Sequence, residues 1–398
     1  MSSSLHSARL IELAHLFLKL GTIGFGGPNA HIAMMEEEVV VKRQWLKREE
    51  FLDLIGATNL IPGPNSTEIA IHVGYLYAGW LGLIVAGVCF ILPAVLITLG
   101  FAWAYVALGA LPQLAFLLYG IKPAVLAIVV DALWRLGKKA VKNRILFAIA
   151  LIVILLVWFA RVSEIVALLL GGFLGMLWLK TPHDRSNEQA NLLITGLTLT
   201  SALKATAAVG LTTVPFSLWQ LGWTFLKIGS VLFGGGYVLI AFIQGSFVDN
   251  LGWLTQQQLF DAIAIGQFTP GPILSTATFI GYVIGGIPGA IVSTIGIFLP
   301  SFVFVVVLNP VIPLLRRSEW ASAFLDAVNV SAVGLMVVVT VQLAIATLGK
   351  SSAPFIDVLA TMIALMSALL AIRFRVSAVW LVLGGAAIAW AASWLGYL

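Results

Sequence analysis

Ionisable and strongly polar side chains are scarce in the apolar stretches of this chain, and their types and spacing point to chemistry. Lys19 and Lys227 each stand a turn or two before a glycine pair, Gly26-Gly27 in one case and Gly234-Gly235 in the other. A lysine is expensive in hydrocarbon, so it is a candidate for holding an anion, the alternative being that it snorkels to the headgroups. Glu68 and His72 are spaced i, i+4, share one helical face, and can both exchange protons, which makes them the leading proton-coupling pair. Glu68 can equally be a plain helix cap. His31 is a weaker candidate of the same kind. Asn59 and Gln267 each precede a Pro-Gly-Pro triplet by three residues and can donate hydrogen bonds to a ligand's oxygens. Lys122, beside Pro123 in an apolar run, can pair with Asp131 or line a path.

The elements that must position these groups are built around the triplets Pro62-Gly63-Pro64 and Pro270-Gly271-Pro272. Proline donates no backbone hydrogen bond and clashes with the carbonyl four residues back, while glycine adds freedom, so each triplet ends one helix and lets another begin. The setting is a membrane: 60% of the 398 residues are hydrophobic and 10% are charged, against about 45–50% and about 25% in a soluble domain. In a bilayer a helix break is tolerated only where protein or a water-filled cavity covers it. The net charge of +5 comes from basic residues scattered in short loops, which speaks for orientation signals and against nucleic-acid binding. A single cysteine, Cys89, excludes a disulfide framework and a Cys-rich metal site. No cleavable signal peptide is expected.

The chain repeats itself. FLKLGTIGFGGP from Phe17 matches FLKIGSVLFGGG from Phe225, Trp45-Leu46 matches Trp253-Leu254, Asp53 matches Asp261, and the two triplets coincide. One residue is then dropped, after which Gly74-Tyr75 matches Gly281-Tyr282, Gly82 matches Gly289 and Leu92-Pro93 matches Leu299-Pro300. The expected organisation is a first repeat over 1–185, a junction over 186–214 that includes a less convincing span from Leu192 to Val214 with Lys204, and a second repeat over 215–398.

About twenty apolar residues cross a bilayer. On that basis the first half has broken segments over Arg9 to Val41 and Phe51 to Ala78, then continuous helices near Trp80 to Leu108, Gln113 to Trp134, Ile145 to Phe159 and Val162 to Leu179. The second has broken segments near Phe216 to Val248 and Leu259 to Gly285, then helices near Ile287 to Leu308, Phe324 to Leu348, Phe355 to Ile372 and Val376 to Leu395. Arg135, Lys138, Lys139, Lys142 and Arg144 mark one loop of the first half as cytoplasmic, whereas its repeat offers Lys350 alone; the loop before Gln113 is uncharged, whereas its repeat carries Arg316 and Arg317. By the positive-inside rule the halves face opposite ways. With re-entrant broken segments and a crossing junction, the N-terminus is cytoplasmic and the C-terminus outside; if the first broken segment spans instead and the junction lies on the surface, the halves are still inverted but the N-terminus lies outside. Glu36, Glu37, Glu38, Glu49 and Glu50 are expected to form a solvated cytoplasmic face without chemistry.

The fold class expected is therefore an all-α integral membrane protein, an inverted-topology tandem repeat with broken or re-entrant helices. That is the plan of a secondary transporter with its site at the repeat interface. After the first break Asn65 is expected as N-cap with Glu68 at the capping-box position; after the second, Pro272 suits the first turn and Ser275, Thr276 and Thr278 follow. Two helix N-termini meeting at mid-membrane favour an anion. The candidate substrate-binding set is Lys19, Gly26, Gly27, Asn59, Pro62, Gly63, Pro64, Asn65, Ser66, Lys227, Gly234, Gly235, Gln267, Pro270, Gly271, Pro272 and Ser275.

Those glycine-rich runs, Phe25-Gly26-Gly27-Pro28 and Phe233-Gly234-Gly235-Gly236, with the two triplets and the TPGP of the second half, resemble the chromate ion transporter family in its long, two-domain form. The resemblance covers nearly the whole chain. It implies a multi-pass exporter in the bacterial cytoplasmic membrane that removes chromate, is coupled to protons and confers chromate resistance. The first half reads IPGPNSTE where the second reads TPGPILST, so an asymmetric site is expected. Its partners would be the oxyanion, protons and the lipid bilayer, with no nucleic acid, no cofactor and no metal; assembly into an oligomer stays open. An enzyme is not expected, since the sequence holds no HExxH, no GxSxG and no Cys/His grouping. A transporter or channel for another oxyanion such as sulfate, or for a neutral solute, is the rival reading.

Overall fold

The computed structural model describes residues 2–25, 27–108, 112–180, 216–308, 318–349 and 356–395. The junction 186–214, Gly26, Arg316, Arg317 and Lys350 lie outside the described residues. Among those described the architecture is all-α, with only an isolated bridge between Gly349 and Ile356. Among the described residues four helices are long and apolar enough to cross a membrane, Asn65–Leu108, Phe116–Ala140, Ile273–Val307 and Glu319–Leu348, and four shorter apolar helices accompany them. Large apolar side chains such as Trp103, Ile295 and Leu365 are exposed, an outer surface suited to lipid.

The first broken segment is α1 (Ser2–Ile23), a break, and α2 (Pro28–Glu36), which runs into a π-helical turn at Glu37–Lys42. Pro28 opens α2, where a missing N–H costs no hydrogen bond. The second is α3 (Arg48–Thr58), the Pro62-Gly63-Pro64 break, and α4 (Asn65–Leu108). Then follow α5 (Pro112–Ala140), α6 (Arg144–Trp158) and α7 (Glu164–Lys180). The second half begins with α8 (Leu218–Val231), a 3-10 turn at Gly236–Val238, α9 (Leu239–Ile243) and a π-helical turn at Gln244–Asn250. It continues through α10 (Gln256–Phe268), a 3-10 turn at Ile273–Ser275, α11 (Thr276–Leu308), α12 (Glu319–Leu348), α13 (Val358–Phe374) and α14 (Ala378–Trp394).

Backbone details recur at matched positions. Helix α4 is folded sharply at Ala78 (φ −140°, ψ 24°) and Gly79 (φ 65°, ψ −150°), and α11 at Gly285 (φ −137°, ψ 20°) and Gly286 (φ 61°, ψ −151°). Only glycine takes the second position of such a fold cheaply. The arms close tightly, because a Cβ at Gly74 would collide with the Gly82 carbonyl, and one at Gly281 with the Gly289 carbonyl. Polar residues cap the helices where the chain leaves the apolar layer: Asn143 accepts from Leu146 N at 2.9 Å, Ser318 from Ala321 N at 3.3 Å and Asp357 from Ala360 N at 3.1 Å.

The halves interlock. Helix α5 packs on α13 and α14, α12 packs on α6 and α7, and α5, α12, α4 and α11 form the middle, where α4 meets α11 and α5 meets α12. Lipid-embedded helices gain little from expelling each other's apolar surface, so close packing through small residues carries the association. A Cβ at Gly120 of α5 would strike the Gly385 carbonyl of α14, and one at Gly175 of α7 would strike Ala327 of α12.

Candidate functional site

The two breaks are buried and each is tied to the opposite half. Gly63 N donates to Leu232 O at 2.9 Å, and Gly271 N donates to Gly24 O at 2.8 Å. Leu232 and Gly24 are themselves the residues preceding the two Phe-Gly-Gly runs, so each triplet docks on the other half's glycine break. Gly63 (φ 143°) and Gly271 (φ 86°) adopt backbone that other residues rarely reach. A Cβ at Gly271 would stand 3.0 Å from Ala94 Cβ and 3.1 Å from Gly21 O; one at Gly63 would run into Glu68 Oε1 and stand 2.7 Å from Ser301 Oγ.

At the first break α4 starts at Asn65, with Thr67 N and Glu68 N donating to Pro64 O at 2.8 and 3.1 Å. The expected cap at Asn65 is therefore corrected: Pro64 takes the cap position, and Asn65 Nδ2 instead donates to Asn59 Oδ1 at 2.8 Å. Glu68 completes no capping box. It is fully buried, and neither carboxylate oxygen has a hydrogen-bond partner. Thr67 Oγ1, Ser301 Oγ and His72 Nε2 are also buried without partners. Ser66 is buried and lies 3.4 Å from His31 Nδ1, while His31 Nε2 donates to Gly24 O at 2.8 Å. Gly24 O thus serves both His31 and Gly271, which joins the two breaks.

At the second break the polar groups are neutral and largely satisfy one another. Thr98 of α4 lies 3.3 Å from Thr269 Oγ1 and 3.2 Å from Ser275 Oγ, and all three are buried. Pro270 and Pro272 are buried beside them, and Thr276 turns its hydroxyl to Ile273 O at 2.8 Å. Gly27 (φ 78°) and Gly235 (φ 100°) share another property: no atom lies within 4 Å of where a Cβ would sit. Gly234 instead has Val238, Ala332 and Asn329 around it.

The structure disperses some of the expected set. Lys19 Nζ pairs with Glu38 at 2.9 Å on an exposed side, and Lys227 is exposed. Glu38 corrects the expectation of a solvated acidic face: it is 7% exposed and surrounded by Lys19, Lys42 and Arg43, because the π-turn rotates it inward onto α1. The Lys19 hydrogen bond holds the Glu38 carboxyl below its ordinary range, against the opposing effect of burial, with the charges of Lys19 and Lys42 adding to it. Asp131 pairs with Arg135 at 2.9 Å, and Lys122 acts electrostatically on Asp261, which also accepts from Tyr105 OH at 2.8 Å and Gln257 at 2.9 Å. Asn59 Nδ2 donates to Ile55 O at 2.9 Å, and Gln267 Oε1 accepts from Tyr237 OH at 3.4 Å.

Sequence reasoning missed Ser301, Thr98 and Thr269. The available signal was the difference between matched positions, Pro300-Ser301 against Pro93-Ala94 and Thr269 against Ile61, in a chain whose repeats otherwise agree.

Long apolar helices enclosing buried, cross-tied helix breaks define a multi-pass membrane transport protein. The chain belongs to the chromate transporter family, whose model matches residues 11–176 and again 219–390. It is 32% identical to the chromate transport protein of Cupriavidus metallidurans over 97% of this chain and 94% of that protein. It is 34% identical to the chromate transport protein of Pseudomonas aeruginosa over 84% of this chain and 80% of that one. An uncharacterized transporter of Methanocaldococcus jannaschii is 30% identical over 83% of each chain. No solved structure matches the chain.

Proposed function

We propose that the protein exports chromate across the bacterial cytoplasmic membrane in exchange for protons and so confers chromate resistance. The observation that carries this reading is the reciprocal pair of hydrogen bonds, Gly63 N to Leu232 O and Gly271 N to Gly24 O, which brings both helix breaks to one buried interface. Helix N-termini offer unpaired N–H groups and the positive end of the helix dipole to an anion. In this reading the substrate meets the backbone at the open glycines Gly27 and Gly235, beside the triplets of Gly63 and Gly271, with Asn65, Ser66 and Ser275 nearby, and Glu68 carries the proton. The name of two close relatives supports chromate as the anion. The matched backbone features and the loop charges together support two repeats of opposite orientation, one rocking against the other.

Charge alone favours the outward direction: with the cell interior negative, moving a dianion out gains about 4.6 kcal/mol per 100 mV, at about 2.3 per charge. Export therefore needs little coupling energy. Sulfate is also a tetrahedral dianion and would meet the same helix ends. Uptake of labelled chromate and labelled sulfate into everted vesicles, with and without an imposed proton gradient, tests the proposal. Chromate accumulation that responds to the gradient is the expected result; accumulation of sulfate alone would move the assignment to another oxyanion, and no accumulation of either would end it.

A further inference from the structure

The Glu68 carboxyl and the Ser301 hydroxyl belong to opposite halves, border the same small space over Gly63, and are both buried without partners. We infer that they form a proton-binding latch between the halves, in which the protonated Glu68 carboxyl donates to Ser301 Oγ and the deprotonated one lets the contact open. The inference rests on the proton-coupled reading above and deepens it by naming Ser301 as the positioning residue that turns protonation into a structural change.

Three observations carry it. A buried carboxyl and a buried hydroxyl, each unsatisfied, bear the full cost of desolvation until they meet a partner, and here the two border one space over Gly63 from opposite halves. The site is one-sided: at the matched junction Thr276 stands for Glu68 and Ala94 for Ser301, and Thr276 already bonds to Ile273 O, so a proton has nothing to bind there. Finally, the latch sits at the Gly63–Leu232 bond, one of the backbone hydrogen bonds that tie a triplet to the opposite half. The other titratable groups on α4 and on the helices packed against it are His72, Tyr75, Tyr77, Cys89 and Tyr105 on α4, His6, Arg9, Glu12, His15 and Lys19 on α1, His31 and Glu36 on α2, Arg48, Glu49, Glu50 and Asp53 on α3, Asp261 on α10 and Tyr282 on α11. Of these Lys19 is engaged by Glu38, His31 by Gly24, and Glu50 by the Lys47 backbone N–H.

The test compares the full-length native chain with Glu68→Gln, Ser301→Ala, Ser301→Thr and the control Ala94→Ser. Proton-gradient-driven chromate transport in everted vesicles should fall about tenfold in Ser301→Ala, the effect of losing one buried hydrogen bond, with a flattened pH profile. Chromate/chromate exchange without a gradient should persist, Ser301→Thr should recover the profile, and Ala94→Ser, which adds a hydroxyl where no carboxyl faces it, should keep the native shape of the pH profile. In detergent the acid-side rise of the native thermal midpoint, taken as the difference from Ser301→Ala across pH, should vanish in Glu68→Gln. An unaltered pH profile in Ser301→Ala, or a Ser301→Thr variant as defective as Ser301→Ala, would overturn the latch. The detergent measurement needs no substrate, so a native chain that moves no chromate but keeps the pH-dependent difference sinks the transport reading and leaves the latch standing.

Discussion

Gly63 N lies 2.9 Å from Leu232 O, a hydrogen bond between the first half's helix break and the second half's glycine run, and Gly271 N repeats it on Gly24 O at 2.8 Å. Both donors are glycines with positive φ. Gly63→Ala and Gly271→Ala should each destabilise the chain by about 1–3 kcal/mol from backbone strain alone. Gly271→Ala should be hard to relieve, because Ala94 and the Gly21 carbonyl cannot swing away, whereas at Gly63 the obstacle includes a movable carboxylate. Thermal midpoints in detergent would show this; an unchanged midpoint in Gly271→Ala would mean that the backbone there relaxes and the crowding is not real.

The open glycines separate stability from transport. Gly27→Ala and Gly235→Ala meet no neighbour, so their cost is the backbone alone, positive φ with ψ near 180°, about 1–3 kcal/mol. If substrate approaches the backbone there, chromate transport should drop well beyond what that loss of folded protein explains. Rates normalised to folded protein, measured by fluorescence-detected size exclusion, decide the matter.

The hydroxyls at the second break give a prediction about affinity. Thr98→Val keeps the shape of the side chain and removes the group that faces both Thr269 and Ser275. With the hydroxyls contributing to a tetrahedral oxyanion, the KM for chromate should rise about tenfold, as for loss of one good hydrogen bond, while kcat changes less. A native KM in Thr98→Val would place the substrate elsewhere.

Glu38 predicts a pH dependence of stability outside the apolar spans. Its carboxyl is held low chiefly by the hydrogen bond from Lys19, so its folded value lies below its unfolded one. The sign follows: the stabilisation is full above the unfolded carboxylate range and disappears as pH falls through the folded value. Lys19→Gln should lower the thermal midpoint near neutral pH and make its fall on acidification shallower than in the native chain. Equal slopes in the two proteins would refute the pairing.

Much of the architecture was legible because membrane constraints are one-dimensional. Apolar length marks a span, and proline and glycine mark a break; the helices over Trp80 to Leu108 and Ile145 to Phe159 fall within a residue or so of those expected. The local chemistry at helix starts was less legible. Asn65 carries the right side chain for a cap, yet Pro64 occupies the cap position, and one residue of register decides which group faces the free N–H.

The sequence by itself determined that this is an all-α membrane protein with paired helix breaks, since composition and backbone stereochemistry act on neighbouring residues. Only the tertiary structure decided that Gly63 binds Leu232, that Thr98 joins Thr269 and Ser275, and that Glu68 faces Ser301. Those partners are some 170 to 230 residues apart, roughly the separation of the repeats. Side chains so distant are brought together by how the interlocked helices pack, which depends on many small contacts at once and leaves no local periodicity to read.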